Sequence, residues 1–91
     1  MQREKRFVYI LRSKRAPSRH YVGITSDVGK RVAWHNAGQN VHTVRERPWS
    51  AVVSMEFATQ LAAYRFERYL KSGSGRAFAK RHFSSTTEAE R

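Results

Sequence analysis

The chain contains no cysteine and only two prolines, and its acidic residues are few. Without thiolates it can form neither disulfides nor cysteine-based zinc sites, and its histidines lack the close spacing of zinc ligands. No apolar run approaches the ~20 residues that a membrane helix needs, and no charged-then-apolar signal sequence opens the chain. We therefore expect a soluble, cytoplasmic protein that does not enter a membrane.

Positive charge, by contrast, is abundant. Lysine and arginine total 18 against 7 acidic residues in 91, a formal net charge of +11. This excess predicts a polyanionic partner. With 40% hydrophobic residues the chain can still bury one core. We expect a flexible basic arm over residues 1–6, a single domain over 7–83 and a disordered tail over 84–91.

The local patterns predict an α+β fold with the element order ββαβαα, in which helices cover a small three-stranded sheet. Strands are predicted over 7–11, 21–24 and 49–57, and helices over 27–37, 59–71 and 74–83. The first two strands are expected to form a hairpin, because a polar loop with Pro17 joins them. The predicted helix caps are the stretch 25–27, Thr59 and Ser74, with Gly38 ending the first helix.

Five side chains are candidates for chemistry. Tyr9 and Tyr21 lie on the strands predicted to pair, Arg31 and His35 share one helix face, and Glu67 borders the apolar stripe formed by Ala62, Phe66, Tyr69 and Leu70. Each also has an ordinary structural explanation: cross-strand packing of the tyrosines, a solvated helix face, or an ion pair of Glu67 with Lys71 four residues on. None of these residues, taken alone, distinguishes a catalytic role from a structural one.

Their joint spacing is more informative. Phe7-Val8-Tyr9, then Tyr21-Val22-Gly23, Arg31, His35-Asn36 and a helical Glu67 together resemble the GIY-YIG nuclease family. The chain is also similar to the compact, single-domain bacterial members of this family, which resemble the N-terminal part of excinuclease C. This similarity lies at Thr43, Arg45–Trp49, Met55–Phe57 and Phe66–Arg76. The resemblance covers roughly residues 6–83. Two departures are Phe7 where the family name has glycine, and Phe78-Ala79-Lys80 where larger relatives have an asparagine that Lys71 or Lys80 would replace.

The resemblance implies three antiparallel strands with flanking helices and an endonuclease that hydrolyses DNA phosphodiester bonds in repair or recombination. It also implies one divalent cation, Mg²⁺ or Mn²⁺. Carried across by position, the catalytic residues are Tyr9, Tyr21, Arg31, His35 and Glu67, with Glu67 as the metal ligand. A hard divalent ion often takes only one or two protein carboxylates, and an arginine can bind two phosphate oxygens at once.

The general base is open to two assignments. An imidazole ordinarily titrates near pKa 6.5 and a phenol near 10, so chemistry alone favours His35. The resemblance indicates Tyr21 instead. We take Tyr21 as the base with His35 assisting.

DNA binding is expected to depend on phosphate contacts from seven basic residues: Arg6, Arg12, Arg45, Arg47, Lys71, Arg76 and Lys80. About six such contacts predict that log K falls with log salt at a slope of about −5, with little sequence preference. A protein partner for targeting and a monomer or homodimer are compatible with this interpretation. The alternative is a non-catalytic basic module that binds nucleic acid, or an adaptor for RNA or an acidic protein.

Overall fold

The computed structural model describes residues 5–83, and its elements follow the predicted order ββαβαα. The strands are β1 (Arg6–Ser13), β2 (His20–Thr25) and β3 (Trp49–Phe57), and the helices are α1 (Val28–Asn36), α2 (Gln60–Leu70) and α3 (Gly73–Phe83), with one 3-10 turn at Val44–Glu46. The predicted α+β fold is confirmed.

The sheet is antiparallel with the strand order β2-β1-β3, so β1 lies at its centre. The predicted hairpin of β1 and β2 is confirmed, and its register pairs Tyr9 with Gly23 and Leu11 with Tyr21. On the other side, the pairing of β1 with β3 shifts between Ile10 and Leu11. The irregularity leaves the β1–β2 register intact, and this register places the two tyrosines.

Side chains of β1 alternate between two apolar clusters, as the period of two in a strand requires. Val8 and Ile10 pack with Ala63 and Leu70 of α2, and residues of α3 complete this cluster. Tyr9 and Leu11 point the other way and pack with Trp49 and with two valines of α1. Helices α2 and α3 therefore cover one face of the sheet, and α1 covers the other.

Side-chain caps lie at the starts of α1, α2 and α3. The amide of Lys30 donates to Asp27 Oδ1 at the start of α1, and the amide of Ala62 donates to Thr59 Oγ1 at the start of α2. The prediction that Ser74 caps α3 was wrong: the helix begins at Gly73, and the amide of Gly75 donates to the Ser72 hydroxyl at 3.1 Å. Both serines can act as caps, and the geometry of the α2–α3 turn selects the earlier one.

The buried face of α2 also differs from the predicted stripe. Ala63 and Leu70 are buried, whereas Ala62 is exposed and Tyr69 is 38% exposed. A neighbouring residue on a helix points about 100° away, so the inward face is rotated by one position. Glu67, expected at the edge of the stripe next to Ala63 and Leu70, is partly buried on the same face as these two residues.

The ends of the predicted domain lie largely outside the described residues. Positions 1–4 of the predicted arm and the predicted tail over 84–91 are not described, while Arg6 already belongs to β1. Among residues 5–83, none of the helices is both long and apolar enough to cross a membrane.

Candidate active site

A line of buried hydrogen bonds runs from β1 to β3 through α1. The Tyr9 hydroxyl and His35 Nε2 are hydrogen bonded at 3.0 Å, and His35 Nδ1 and Thr43 Oγ1 at 2.9 Å. The indole Nε1 of Trp49 then donates to the Thr43 carbonyl at 2.8 Å. A neutral imidazole has one donor and one acceptor nitrogen, so the two hydrogen bonds of His35 can run in either direction, whereas the indole of Trp49 can only donate. His35 is completely buried, and both of its ring nitrogens are engaged.

Tyr9 is almost completely buried, and a glycine makes room for it. Its cross-strand partner is Gly23, where a Cβ would overlap the Tyr9 hydroxyl. Burial raises the pKa of the Tyr9 phenol well above its ordinary value, and Tyr21 raises it further. The Tyr9 hydroxyl therefore stays protonated at neutral pH and can act as a hydrogen-bond donor.

Tyr21 is the more accessible of the two phenols. It lies on β2 with its ring edge-on to His35, the ring centroids being 4.8 Å apart, and 6.4 Å from the ring of Tyr9. Its side chain is partly exposed, whereas Tyr9 and His35 are buried. Of the three rings, Tyr21 is thus the one placed to meet a molecule arriving from solvent.

Arg31 and Trp34 form a pair on α1. The Arg31 guanidinium stacks over the Trp34 ring at 4.7 Å from its centroid, and Trp34 in turn packs edge-on against His35 at 5.1 Å. Burial, and secondly the charge of Arg31, hold the pKa of His35 below its ordinary value. His35 is therefore neutral at pH 7, and a stacked arginine lies beside it.

Glu67 lies on α2, the helix that packs against β1 and β2. Its carboxylate forms an ion pair with Lys71 at 2.6 Å, and its side chain is only 13% exposed. Its negative charge raises the pKa of Tyr9, while the positive charge of Arg31 lowers it. Arg31 and Glu67 thus act on the same phenol, although their helices cover different faces of the sheet.

The donor set at Glu67 suits one kind of metal. Among residues 5–83 there is no group of three or more His, Cys, Asp or Glu side chains that could hold an ion. Zinc, which takes three or four protein ligands, does not fit such a site. Mg²⁺ or Mn²⁺ fits, because such an ion can keep most of its waters and bind one carboxylate together with phosphate oxygens.

Comparison with known proteins gives the family. Residues 5–82 match the family model described as the GIY-YIG catalytic domain. The chain belongs to the GIY-YIG family. One relative is a protein of Candida dubliniensis (strain CD36) named structure-specific endonuclease subunit SLX1, which is 35% identical over 85 residues. The match covers 86% of this chain but only 28% of the relative, so the chain spans less than a third of that protein's length.

The seven basic residues predicted to bind DNA fall into two groups in this GIY-YIG domain. Lys71, Arg76 and Lys80 line one cavity together with Tyr21. The others lie elsewhere: Arg6 and Arg12 on β1, and Arg45 and Arg47 at the 3-10 turn. Arg12 pairs across the hairpin with His20, which lines the same cavity.

Three contacts of the site were missed in the sequence. Thr43 holds His35, Trp34 holds Arg31, and the Asn36 side chain binds both backbone groups of Trp49, with the amide of Trp49 donating at 2.7 Å. The spacing of Arg31 and Trp34, three residues apart on a helix, is a signal that indicates their contact. No local signal links Thr43 to His35, because a loop brings them together.

Proposed function

We propose that this GIY-YIG domain is a divalent-metal-dependent endonuclease that hydrolyses DNA phosphodiester bonds. The observation that carries the proposal is the cluster of the Tyr9, Tyr21 and His35 rings, in which the Tyr9 hydroxyl and His35 Nε2 are hydrogen bonded at 3.0 Å. Arg31 lies beside this cluster, stacked on Trp34, which packs against His35. The charges of Arg31 and Glu67 both act on the pKa of Tyr9. Phosphodiester hydrolysis needs a base for the attacking water and positive charge where negative charge develops. The net charge of +11 supports a polyanionic substrate.

The accessibility of the rings supports Tyr21 as the general base. His35 has both ring nitrogens engaged and no exposed surface, so a water molecule at the phosphate cannot reach it directly. Tyr21 is partly exposed and in contact with the His35 ring. In this assignment His35 positions Tyr9 through their hydrogen bond, and the ring of Tyr9 packs beside that of Tyr21.

Arg31 is assigned to the phosphate. A guanidinium presents paired donors that match two phosphate oxygens, and stacking on Trp34 fixes the plane of the group before substrate arrives. Glu67 is assigned to the divalent ion. When bound, such an ion supplies Lewis-acid stabilisation of charge on the phosphate and the leaving oxygen. Lys71 forms an ion pair with the Glu67 carboxylate.

The name of the yeast relative extends the proposal. That protein is named as a subunit and as structure-specific. We propose that this chain likewise cleaves branched or otherwise irregular DNA in repair or recombination, and that a protein partner helps to target it. Contacts to phosphates do not read the base sequence, which agrees with recognition of DNA by its shape.

The decisive experiment compares two carboxylates. Purified wild type, Glu67→Gln and Glu56→Gln are incubated with supercoiled, branched and single-stranded DNA in Mg²⁺, Mn²⁺ or EDTA. Glu56 is a suitable control because it lies on β3, where it pairs with Lys5 on the surface. We expect metal-stimulated cleavage by wild type and Glu56→Gln and none by Glu67→Gln. Cleavage that persists in EDTA, or equally in Glu67→Gln, contradicts the proposal.

The identity of the base is tested with tyrosine variants. Tyr21→Phe should lower kcat by about a hundredfold or more, the usual contribution of a general base. Tyr64→Phe, at an exposed position on α2, should leave kcat unchanged. If Tyr21→Phe retains most cleavage while His35→Ala abolishes it, the assignment of the two residues is reversed. DNA binding by wild type without cleavage under any condition favours the non-catalytic module.

A further inference from the structure

A cavity of about 800 Å³ lies at the free edge of β2, between the β1–β2 loop and helices α2 and α3. Its floor is apolar and consists of Ile10, Val22, Leu70 and Phe83. The volume falls within the range of 300–1,000 Å³ that is typical of small-molecule sites. A planar organic group can therefore be buried here against aliphatic and aromatic carbon.

Three cationic side chains contribute to the remaining lining. Among the described residues that line the cavity, Lys71, Arg76 and Lys80 are positively charged, and no acidic residue lines it. An apolar floor under a cationic rim is complementary to a nucleotide, which has an aromatic base on a negatively charged backbone. It does not match an uncharged apolar ligand or a second copy of this basic chain, whose charges would repel.

The cavity adjoins the candidate active site. Tyr21 lines the cavity and also contacts the ring of His35. Lys71 lines it while holding the Glu67 carboxylate. A DNA strand whose phosphate lies between Tyr21 and Glu67 would thus have a neighbouring nucleotide at the mouth of the cavity.

We propose that the cavity binds one unpaired nucleotide of the strand that is cleaved, with its base on the apolar floor and its phosphates on the basic rim. This inference rests on the proposed nuclease function. A base inside a duplex is stacked and paired, so it enters such a cavity only where pairing is absent or broken. The substrate class is therefore DNA with unpaired nucleotides beside the cut, at the boundary between single and double strands.

Binding without cleavage tests the proposal. In EDTA at fixed salt, fluorescence anisotropy gives the Kd of the full chain for a blunt duplex and for the same duplex with a short single-stranded extension. Abasic sites are then placed one at a time along the extension. We expect one position near the boundary where loss of the base weakens binding by about tenfold, as expected for one stacked base. Uniform binding along the extension overturns the proposal.

Filling the cavity supplies a matched pair of variants. Ala79 lines the cavity, whereas Ala77, two residues earlier on α3, is exposed and does not. Ala79→Trp should abolish the effect of the abasic site and leave duplex binding within about twofold, and Ala77→Trp should behave as wild type. If Ala79→Trp does not fold by circular dichroism, Ser18→Trp fills the mouth from the exposed loop and gives the same test.

The outcomes separate the two proposals. An abasic effect that is as large in the filled variant as in wild type refutes the cavity assignment, whether or not the protein cleaves DNA. An abasic effect that the filled variant loses supports the assignment even if no cleavage is detected, and in that case only the nuclease proposal fails.

Discussion

Replacing Thr43 with valine removes one oxygen and leaves the shape of the side chain unchanged. Thr43 and His35 are both completely buried, and their contact at 2.9 Å is the hydrogen bond that satisfies His35 Nδ1. In Thr43→Val this nitrogen has no partner and no access to water. The cost of such an unsatisfied buried group is about 1–3 kcal/mol of unfolding free energy.

Thr43→Ser is the matched control, because it keeps the hydroxyl and loses one methyl group. Burial of a methyl group contributes about 0.8 kcal/mol, so the serine variant should lose about 1 kcal/mol and the valine variant about 2. With an m-value of about 1 kcal/mol/M in urea, the unfolding midpoints should fall by about 1 M and 2 M.

Urea unfolding followed by tryptophan fluorescence measures both midpoints. Trp34 and Trp49 both contribute to this signal, and Trp49 is buried and hydrogen bonds to the Thr43 carbonyl. The reasoning is refuted if Thr43→Val is as stable as wild type, or more stable than Thr43→Ser. The two variants should also differ in DNA cleavage. Thr43→Ser should cleave DNA, whereas Thr43→Val should lose activity because the hydrogen bond that orients the His35 ring is absent.

Three further predictions concern packing, pH and salt. Gly75→Ala should destabilise the fold by about 2 kcal/mol, since a Cβ there overlaps the Tyr69 carbonyl. Gly73→Ala has open space around it and should be neutral or stabilise by about 0.5 kcal/mol. Thermal unfolding of the two variants compares these effects. Because the pKa of His35 is lowered in the folded state, stability should be complete above about pH 6.5 and decline as pH falls below it toward the folded pKa; equal urea midpoints at neutral and mildly acidic pH would argue against a neutral buried ring. DNA affinity measured across salt concentrations should give a slope of about −5, and a flat response would contradict phosphate binding.

The elements could be predicted from the sequence because their signals are local. The apolar runs, the caps at Asp27 and Thr59, and Gly38 with its positive φ of 84° each lie within a few residues of the boundary they set. The paired strands that bring Tyr9 and Tyr21 together follow from two such runs and a turn. The adjacency of the two tyrosines is therefore predictable from the order of residues alone.

The errors arose where two local solutions were nearly equal. Ser72 and Ser74 are both good caps, and Ala62 and Ala63 are the same residue type. In each pair the choice depends on how closely α3 approaches α2, where Gly75 lies against the backbone of Tyr69. Such an approach is a tertiary property, and the pattern of one helix does not contain it.

The candidate site was predictable in part for the same reason. That Arg31 and His35 share a face follows from helix periodicity. That Glu67 belongs to one site with Tyr9 does not follow from any spacing, because the two lie on different elements; only the family resemblance indicated it. The cavity beside Tyr21 was not foreseen, since elements from both ends of the chain build its walls.

The central position of β1 affects how different parts of the site can move. Tyr9 is anchored in a strand with neighbours on both sides, so its amide should exchange with deuterium only when the entire molecule opens. Arg31 and Glu67 lie on helices, which can open locally without disrupting the sheet. We therefore expect the Tyr9 phenol to stay in place when a DNA strand binds, while Arg31 and Glu67 adjust their positions.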